Sequence, residues 1–561
     1  MNLVKNHNKI FRSKCFYVLP TINNNSYHFI RKRYFYSTTI LNNLSTKQLS
    51  SDISIPTIEN KDYCPGCGAK FQNEDSSKPG YLINLSSFIT CSSTNKKNNE
   101  KSNDKKMSKE EIEDAINNLP EDIKKLMYPF KYSSTFTRKE TKIDDSNLKE
   151  REKERIFCQR CYNLKYHNKI KSSSSSSSSS SWQENLTMDK SFLNFLQKKK
   201  NSIILTIIDI IDFPGSLIKN LDNLIGKNNP NILIANKIDL LPKNFDEDMI
   251  KIWLKNSCSE YGIKNIHKIF LCSAKKNWMI KDLCNEISKI KYYNDNIYLI
   301  GNTNVGKSEL INSFLRTYVH NSKKYEVTSS HIPGTTINML GLPLNIFGDT
   351  FGKSIKGMLF NNNNNNQEDH RFLFDTPGIV NENQLFHFLD QEELKMIIPQ
   401  KSIRPLTYVF KPGKSLLFGG LGRIDYKMGE KPIRITVFSG LDSHITSIEK
   451  ADKFYKQLSS NEQNHFLKPP IGSIERLKKF PEIIKSIKDL KVVSNEELYI
   501  KTKKVSILDI VWSGVGWCSI GGVKIGETAI FDVWSPDGKG VYVRNVPLLP
   551  YEFHGKIEKI K

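Results

Sequence analysis

Three short stretches of this chain carry residue types suited to holding a nucleotide. Gly301-Asn302-Thr303-Asn304-Val305-Gly306-Lys307-Ser308 has the spacing of a phosphate-cradling loop. Its glycines let backbone amides turn inward around a β-phosphate, Lys307 can neutralise the β and γ oxygens, and Ser308 can ligate magnesium. Asp375-Thr376-Pro377-Gly378 adds a carboxylate able to hold that magnesium through water and an amide, on Gly378, able to sense a γ-phosphate. Asn236-Lys237-Ile238-Asp239 supplies what guanine recognition requires. Asp239 can accept from the N1 and N2 donors of guanine, a pattern adenine cannot offer; Asn236 is expected to face the opposite edge, and Lys237 to cover the ring. A site left with unpaired polar groups rejects the wrong base. Ser273-Ala274-Lys275 would add a backbone-based guanine contact. Pro333-Gly334-Thr335-Thr336 lies where a mobile switch loop belongs, with Thr336 favoured over Thr335 to close over magnesium; the plain alternative is a Pro-Gly turn.

The implied chemistry is GTP hydrolysis. Lys307, Thr336, Asp375 and Gly378 are its candidate catalytic residues, and Ser308, Thr336 and Asp375 its magnesium set. Gly301, Asn304, Val305 and Gly306 join Lys307 and Ser308 around the phosphates, while Asn236, Lys237, Asp239, Ser273, Ala274 and Lys275 hold the base. Ile379 stands where an enzyme of the Ras type carries the glutamine that orients the attacking water, so intrinsic turnover should be slow or use another electrostatic element. Asn304 resembles the asparagine with which potassium-activated GTPases hold a monovalent cation, whose charge could replace an arginine finger. Its plain alternative is a loop-forming residue in an Asn-rich chain.

Cys64-x-x-Cys67 and Cys158-x-x-Cys161 each present two thiolates from a tight turn, and four thiolates make a closed tetrahedral zinc site. Gly66 and Gly68 suit the turn geometry. Such a full site is structural rather than catalytic. The rival reading, a redox CxxC, lacks a thioredoxin-like βαβ context. The remaining cysteines read as buried or incidental thiols.

These residues need elements to position them. Ser202 to Ile211, Asn231 to Ala235, Lys268 to Cys272, Asn296 to Ile300 and Phe372 to Phe374 are apolar runs of the buried-strand type. Helices are expected over Asp246 to Tyr261, Trp278 to Ile290 and Lys307 to Tyr318, giving an α/β fold with a parallel sheet covered on both sides. The base-reading motif precedes the phosphate loop, the reverse of an ordinary guanine-nucleotide switch, so the order predicts a circularly permuted P-loop GTPase domain. An N-terminal zinc-binding module precedes it, and a C-terminal α+β or β-rich domain follows, with strands expected over Val505 to Trp512 and Glu527 to Trp534 and a turn at Ser535 to Gly538. The expected boundaries are 60–171 for the zinc module with its long polar insertion, 172–200 for a Ser-rich linker, 201–380 for the GTPase domain and 381–561 for the C-terminal domain. Within the insertion, Ser108 to Phe130 reads as a capped helix.

Residues 1–50 hold eight Lys or Arg and no acid, the composition of an organelle transit peptide, with a mitochondrial matrix address ahead of a plastid one and a disordered basic tail as the plain alternative. No run is long and apolar enough for a membrane span. The net charge of +24 favours an anionic partner such as RNA, although A+T-rich codon bias accounts for part of it.

With these residues in view the chain resembles the YqeH-type circularly permuted GTPases, a group that includes the nitric-oxide-associated-protein homologues of mitochondria and plastids. The likeness rests on Cys64-Pro65-Gly66-Cys67-Gly68, the Cys158 to Cys161 pair, Asp209 to Ser216, Asn236 to Pro242, Pro333 to Thr336 and Phe418 to Asp425. It implies assembly of an organellar small ribosomal subunit, with small-subunit rRNA or a pre-ribosomal particle as partner and a C-terminal RNA-binding domain. Arg404, Lys411, Lys414 and Arg423 are the candidate RNA contacts. Two other readings stay open: a nucleotide-stabilised RNA-binding scaffold with negligible turnover, and a GTPase in organellar RNA modification or translation.

Overall fold

The computed structural model describes residues 57, 60–82, 156–167, 190–200, 202–243, 245–290, 296–330, 332–351, 371–457, 467–494, 499–500, 503–504, 506–549 and 557–558. The basic start, the helix expected over Ser108 to Phe130, the serine tract and the Asn361 to Asn366 tract lie outside them.

The apolar runs form one sheet. Strands β1 (Ile203–Asp209), β2 (Asn231–Asn236), β3 (Lys268–Leu271), β4 (Ile297–Gly301), β5 (Leu340–Pro343) and β6 (Phe372–Asp375) lie in the order β3-β2-β1-β4-β6-β5. All neighbours are parallel except β5, which runs antiparallel to β6 at the edge. Nothing in the sequence signals β5, because four residues ending in proline are too short to show a period. Successive residues of β1 enter opposite cores, Ile204 and Ile208 on one face and Ile203, Leu205 and Ile207 on the other, as the two-residue period of a strand requires. Helix Glu247–Glu260 covers the first face; helices Ile280–Lys289 and Lys307–Tyr318 cover the second. Asp246 caps the first of these helices, its carboxylate accepting from Asp248 N and Met249 N. The helix expected from Trp278 begins instead at Ile280: Ser273 and Trp278 exchange backbone hydrogen bonds of 3.3 and 3.1 Å, closing a loop that leaves Met279 left-handed at φ 60°.

Beyond β6 the chain is mostly strands: β7 (Leu406–Phe410), β8 (Lys414–Phe418), β9 (Gly422–Met428), β10 (Ile433–Ser439), β11 (His444–Ser447), β12 (Ile483–Val493), β13 (Tyr499–Ile500), β14 (Lys503–Lys504), β15 (Leu508–Trp512), β16 (Gly516–Gly521), β17 (Thr528–Pro536), β18 (Val541–Arg544) and β19 (Ile557–Glu558). They build a sheet ordered β18-β15-β16-β10-β7-β19, another ordered β11-β8-β9-β17-β12, and the β13-β14 pair. The two larger sheets share a core that includes Phe410, Leu416, Ile424, Ile435, Ile510 and Phe531. The first core of the nucleotide sheet runs on into Val511, Trp517 and Leu548, so the C-terminal strands pack directly on that part of the chain.

This packing corrects one expectation. Arg423 is 1% exposed; its guanidinium bonds Asp425 at 2.6 and 2.9 Å and Asp452 at 2.7 Å, and lies 4.7 Å from the centre of the Trp534 ring. Unpaired, a charge this deep would be costly, so Arg423 is an internal tie and not a free RNA contact. Arg404 and Lys411 are exposed, and Lys414 is half-buried.

Candidate nucleotide site and cysteine knuckle

The phosphate loop links β4 to helix Lys307–Tyr318 and needs left-handed backbone at Asn304 (φ 61°) and Gly306 (φ 95°). Glycine at 301 is needed for a different reason, since a Cβ there would stand 2.6 Å from Ile207 O. Lys307 is buried, with Nζ donating to Gly301 O at 3.0 Å and Asn302 O at 2.9 Å. Burial pushes its ammonium down to about 8, with the Asp375 charge acting the other way. Next to it the three candidate magnesium ligands converge. Asp375 Oδ2 accepts from Ser308 Oγ at 2.8 Å and from Thr336 Oγ1 at 2.7 Å, and the two hydroxyls are 3.1 Å apart. Burial raises the Asp375 carboxyl, against the pull of Lys307 and the two hydroxyls. Three hard oxygens at one point, beside a buried lysine, suit a magnesium ion. Thr336 is the buried member of the threonine pair and Thr335 the half-buried one.

The 375–378 motif is stitched to the phosphate loop: Thr303 N donates to Ile379 O at 2.9 Å and Ile379 N to Gly301 O at 3.1 Å. A Cβ on Gly378 would lie 2.9 Å from Thr303 Cα, which explains the glycine. The Ile379 side chain is 2% exposed within the apolar core, so the position occupied by glutamine in Ras-type enzymes here faces away from any attacking water.

At the end of β2, Asn236 is held by backbone groups on two sides. Its Nδ2 donates to Val305 O at 2.9 Å and its Oδ1 accepts from Ala274 N at 3.0 Å. The side chain braces the phosphate loop against the Ser273–Lys275 turn and also lines the cavity it shares with Lys237 and Asp239. Lys237, left-handed at φ 68°, is anchored by Asp209 Oδ2 at 2.7 Å. Ser273 Oγ accepts from Lys276 N at 3.1 Å and holds that turn. Asp239, Lys237, Lys275 and Asn304 line a cavity of about 320 Å³ that also takes in Val305 and Gly306, a size in the range of small-molecule sites.

The lining of this cavity also includes Gln384, Phe386, Gly514, Val515 and Gly516, which sequence reasoning did not connect with the nucleotide. Asp212 explains their placement. Its buried carboxylate accepts from Ser513 Oγ at 2.7 Å, Gly514 N at 2.9 Å and Gln384 Nε2 at 2.6 Å. Burial, reinforced by the Asp209 charge, pushes Asp212 up to about 6. Asn302 and Asn381 both donate to Gly215 O, at 3.2 and 2.7 Å. The Asp209-x-x-Asp212 spacing was the available signal; its partners were too distant in sequence to infer.

The four predicted zinc ligands also meet. The sulfurs of Cys64, Cys67, Cys158 and Cys161 all lie within 4.8 Å of one another, fully buried, and Cys67 and Cys158 sulfurs are 3.8 Å apart. A tetrahedral zinc with bonds of about 2.3 Å places its sulfurs about 3.8 Å apart, so the donor set fits. Hydrogen bonding from Cys161 holds the Cys158 thiol well below its ordinary range, while hydrogen bonding with Cys158 drives Cys67 and Cys161 well above theirs.

Residues 296–404 match the family model described as 50S ribosome-binding GTPase. The chain is 32% identical over 395 residues to the uncharacterized protein YqeH of Bacillus subtilis, spanning 70% of this chain and 91% of that protein. It is 24% identical over 521 residues to human nitric oxide-associated protein 1, covering 72% of this chain and 71% of the relative. With the mitochondrial genetic interactor of prohibitins 3 of Saccharomyces cerevisiae it shares 24% identity over 510 residues, 86% of this chain and 80% of that one. Among the described residues no helix is long and apolar enough to cross a membrane.

Proposed function

Because the chain belongs to the YqeH family and is a GTPase, we propose that it serves as an assembly factor for the small ribosomal subunit of an organelle, the mitochondrion ahead of the plastid. It binds immature rRNA through its C-terminal sheets and uses nucleotide state to time its release. The observation that carries this reading is the shared cavity, which Asp239 and the phosphate loop line together with Gln384 and Gly514 to Gly516. A nucleotide held in that cavity would lie against the strands proposed to hold RNA.

We read the motif order as circular permutation. Strand β2, which ends at Asn236, precedes the phosphate loop in the chain but lies in the same sheet as β4 and β6, which leaves the pocket chemically ordinary while the segment after Gly378 leads into the C-terminal strands. Domain limits follow at 201–380 and 381–561, with the zinc module before them.

Within the site, Asp239 pairs with the guanine N1 and N2 donors, Lys237 covers the ring, and the Ser273–Lys275 turn adds its amides. Lys307 neutralises the β and γ oxygens and Gly378 N senses the γ-phosphate. Magnesium, held by Ser308, Thr336 and, through water, Asp375, would supply charge neutralisation at the transferring phosphoryl group. With Ile379 buried, no side chain at that position orients water, so hydrolysis is slow until a partner or a potassium ion beside Asn304 adds positive charge. The four cysteines hold a structural zinc.

Turnover with and without potassium and purified small subunits, combined with RNA crosslinking, tests the proposal. Stimulation by small subunits and crosslinks to their rRNA are expected; rates indifferent to the particle, with crosslinks elsewhere, would refute it. The description of the matched family model favours a second reading, large-subunit binding, and crosslinks to large-subunit rRNA would select that one.

A further inference from the structure

The cysteine knuckle and the nucleotide cleft are in contact through the loop that carries Thr336. From the second cysteine turn, Arg160 Nη2 donates to Gly334 O and Nη1 to Thr335 O at 3.4 Å. From the first turn, Cys67 O accepts from Ile337 N at 3.0 Å and Asn338 N at 3.1 Å, and Asn338 Nδ2 donates to Gly68 O at 3.1 Å. Ile337 packs against the buried cysteines. A Cβ on Gly68 would stand 2.9 Å from Asn338 O, and one on Gly66 would collide with Thr328 Oγ1, so the knuckle has glycine where it meets the segments on either side of the loop. Further along, Lys165 Nζ pairs with Glu326 at 3.1 Å.

Both cysteine turns therefore grip one short segment, one just before Thr336 and the other just after it. Between the two grips Thr336 Oγ1 sits 2.7 Å from Asp375 and 3.1 Å from Ser308. A loop that must close over a γ-phosphate pays conformational entropy each time it orders. Held at both ends by a rigid metal-binding turn, it pays less, and the competent conformation takes a larger share of the ensemble.

We propose that Arg160 is a positioning residue for GTP hydrolysis, acting from the cysteine knuckle through the carbonyls of Gly334 and Thr335 to hold Thr336 at the magnesium site. The inference rests on the reading of Thr336 as a magnesium ligand. It makes the zinc module part of the switch: what loosens the knuckle weakens the GTP state, whereas GDP, with no γ-phosphate for the loop to close over, is indifferent.

The test uses the full chain with Arg160→Ala, Arg160→Lys and, as a separate control on the magnesium reading, Thr336→Ala. Zinc content, GDP affinity, kcat, the magnesium concentration for half-maximal rate and amide exchange are measured for each. Arg160→Ala should retain zinc and bind GDP as the parent does. Its kcat should fall about tenfold, the worth of one charge-assisted hydrogen bond, and its magnesium requirement should rise. Exchange should quicken across 333–338 but not in helix Lys307–Tyr318, and Arg160→Lys should recover part of the loss. Parental kcat, magnesium dependence and exchange in Arg160→Ala would overturn the proposal. If Thr336→Ala leaves magnesium dependence unchanged, the reading of Thr336 fails instead. Should Arg160→Ala lose zinc or fail to fold, Asn338→Ala decides, since it removes the side-chain bond to Gly68 O from the opposite grip while its side chain bonds neither a cysteine sulfur nor Arg160. It should raise the exchange of 333–338 and the magnesium requirement, and no change in either would also overturn the proposal.

Discussion

Asn236 and Asp239 belong to one motif, yet the structure gives them separable tasks, and that separation is measurable. Asn236 is 3% exposed and spends one amide atom on Val305 O and the other on Ala274 N. Asn236→Ala strands a buried carbonyl and a buried N–H, each costing about 1–3 kcal/mol, so nucleotide-free protein should lose about 2–6 kcal/mol. Asp239, half-buried at the cavity wall, is expected to meet only the ligand. Asp239→Asn should leave stability within about 0.5 kcal/mol of the parent. GTP binding should nevertheless weaken about a hundredfold or more, because one acceptor becomes a donor opposite the guanine N1–H and 2-amino groups. Xanthosine triphosphate, with a carbonyl in place of the 2-amino group, should then compete better. Equilibrium urea unfolding of nucleotide-free protein and nucleotide titrations on the same samples decide the matter. If Asn236→Ala unfolds at the parental urea midpoint, or Asp239→Asn costs as much stability as Asn236→Ala, the division of labour is wrong.

Two further outcomes are expected. Asp212 has its carboxyl raised to about 6 from 3.8; a group raised on folding contributes stability that is complete below its unfolded value and lost as pH climbs through the folded one. Relative to Asp212→Asn, the protein should therefore lose about 3 kcal/mol between about pH 4 and pH 6.5, and a stability difference that is flat over this interval would refute the assignment. Arg423→Ala should cost about 3–5 kcal/mol by leaving Asp425 buried without its partner, seen as a lowered melting temperature; loss of RNA binding at parental stability would instead restore the surface role.

The chemistry of this chain was legible where it depends on neighbours in sequence. The phosphate loop, the 375–378 turn and the cysteine pairs are set by local backbone requirements, so residue type and spacing foretold where Ser308, Thr336 and Asp375 would converge. The buried strands were equally plain, since β1 to β4 are continuous apolar runs. What stayed hidden depends on long closures. Arg160 finds Gly334, Asp212 finds Ser513, and Arg423 turns inward to Asp452, none of which a local period encodes. Arg423 misled because a lone arginine beside glycines looks the same whether its partner is a phosphate or a buried carboxylate. Asn236 carries a task the motif alone did not announce, since its bonds to Val305 O and Ala274 N depend on where the fold brings those groups.

The wall formed by Gly514 to Gly516 has a consequence for how the protein is made. A chain grows from its N-terminus, so the base-reading strand emerges first, the phosphate loop later, and the last piece of the nucleotide cavity only after most of the C-terminal strands have been synthesised. GTP therefore cannot act as an early template for folding, as it could in a switch whose pocket closes within one continuous stretch. The nascent nucleotide sheet must reach its shape unaided, with the side that Val511 and Trp517 will later cover exposed to the translation machinery and its chaperones. A chain that has not yet reached Gly516 lacks part of the cavity lining, so a complete nucleotide cavity marks a chain whose synthesis has passed that point.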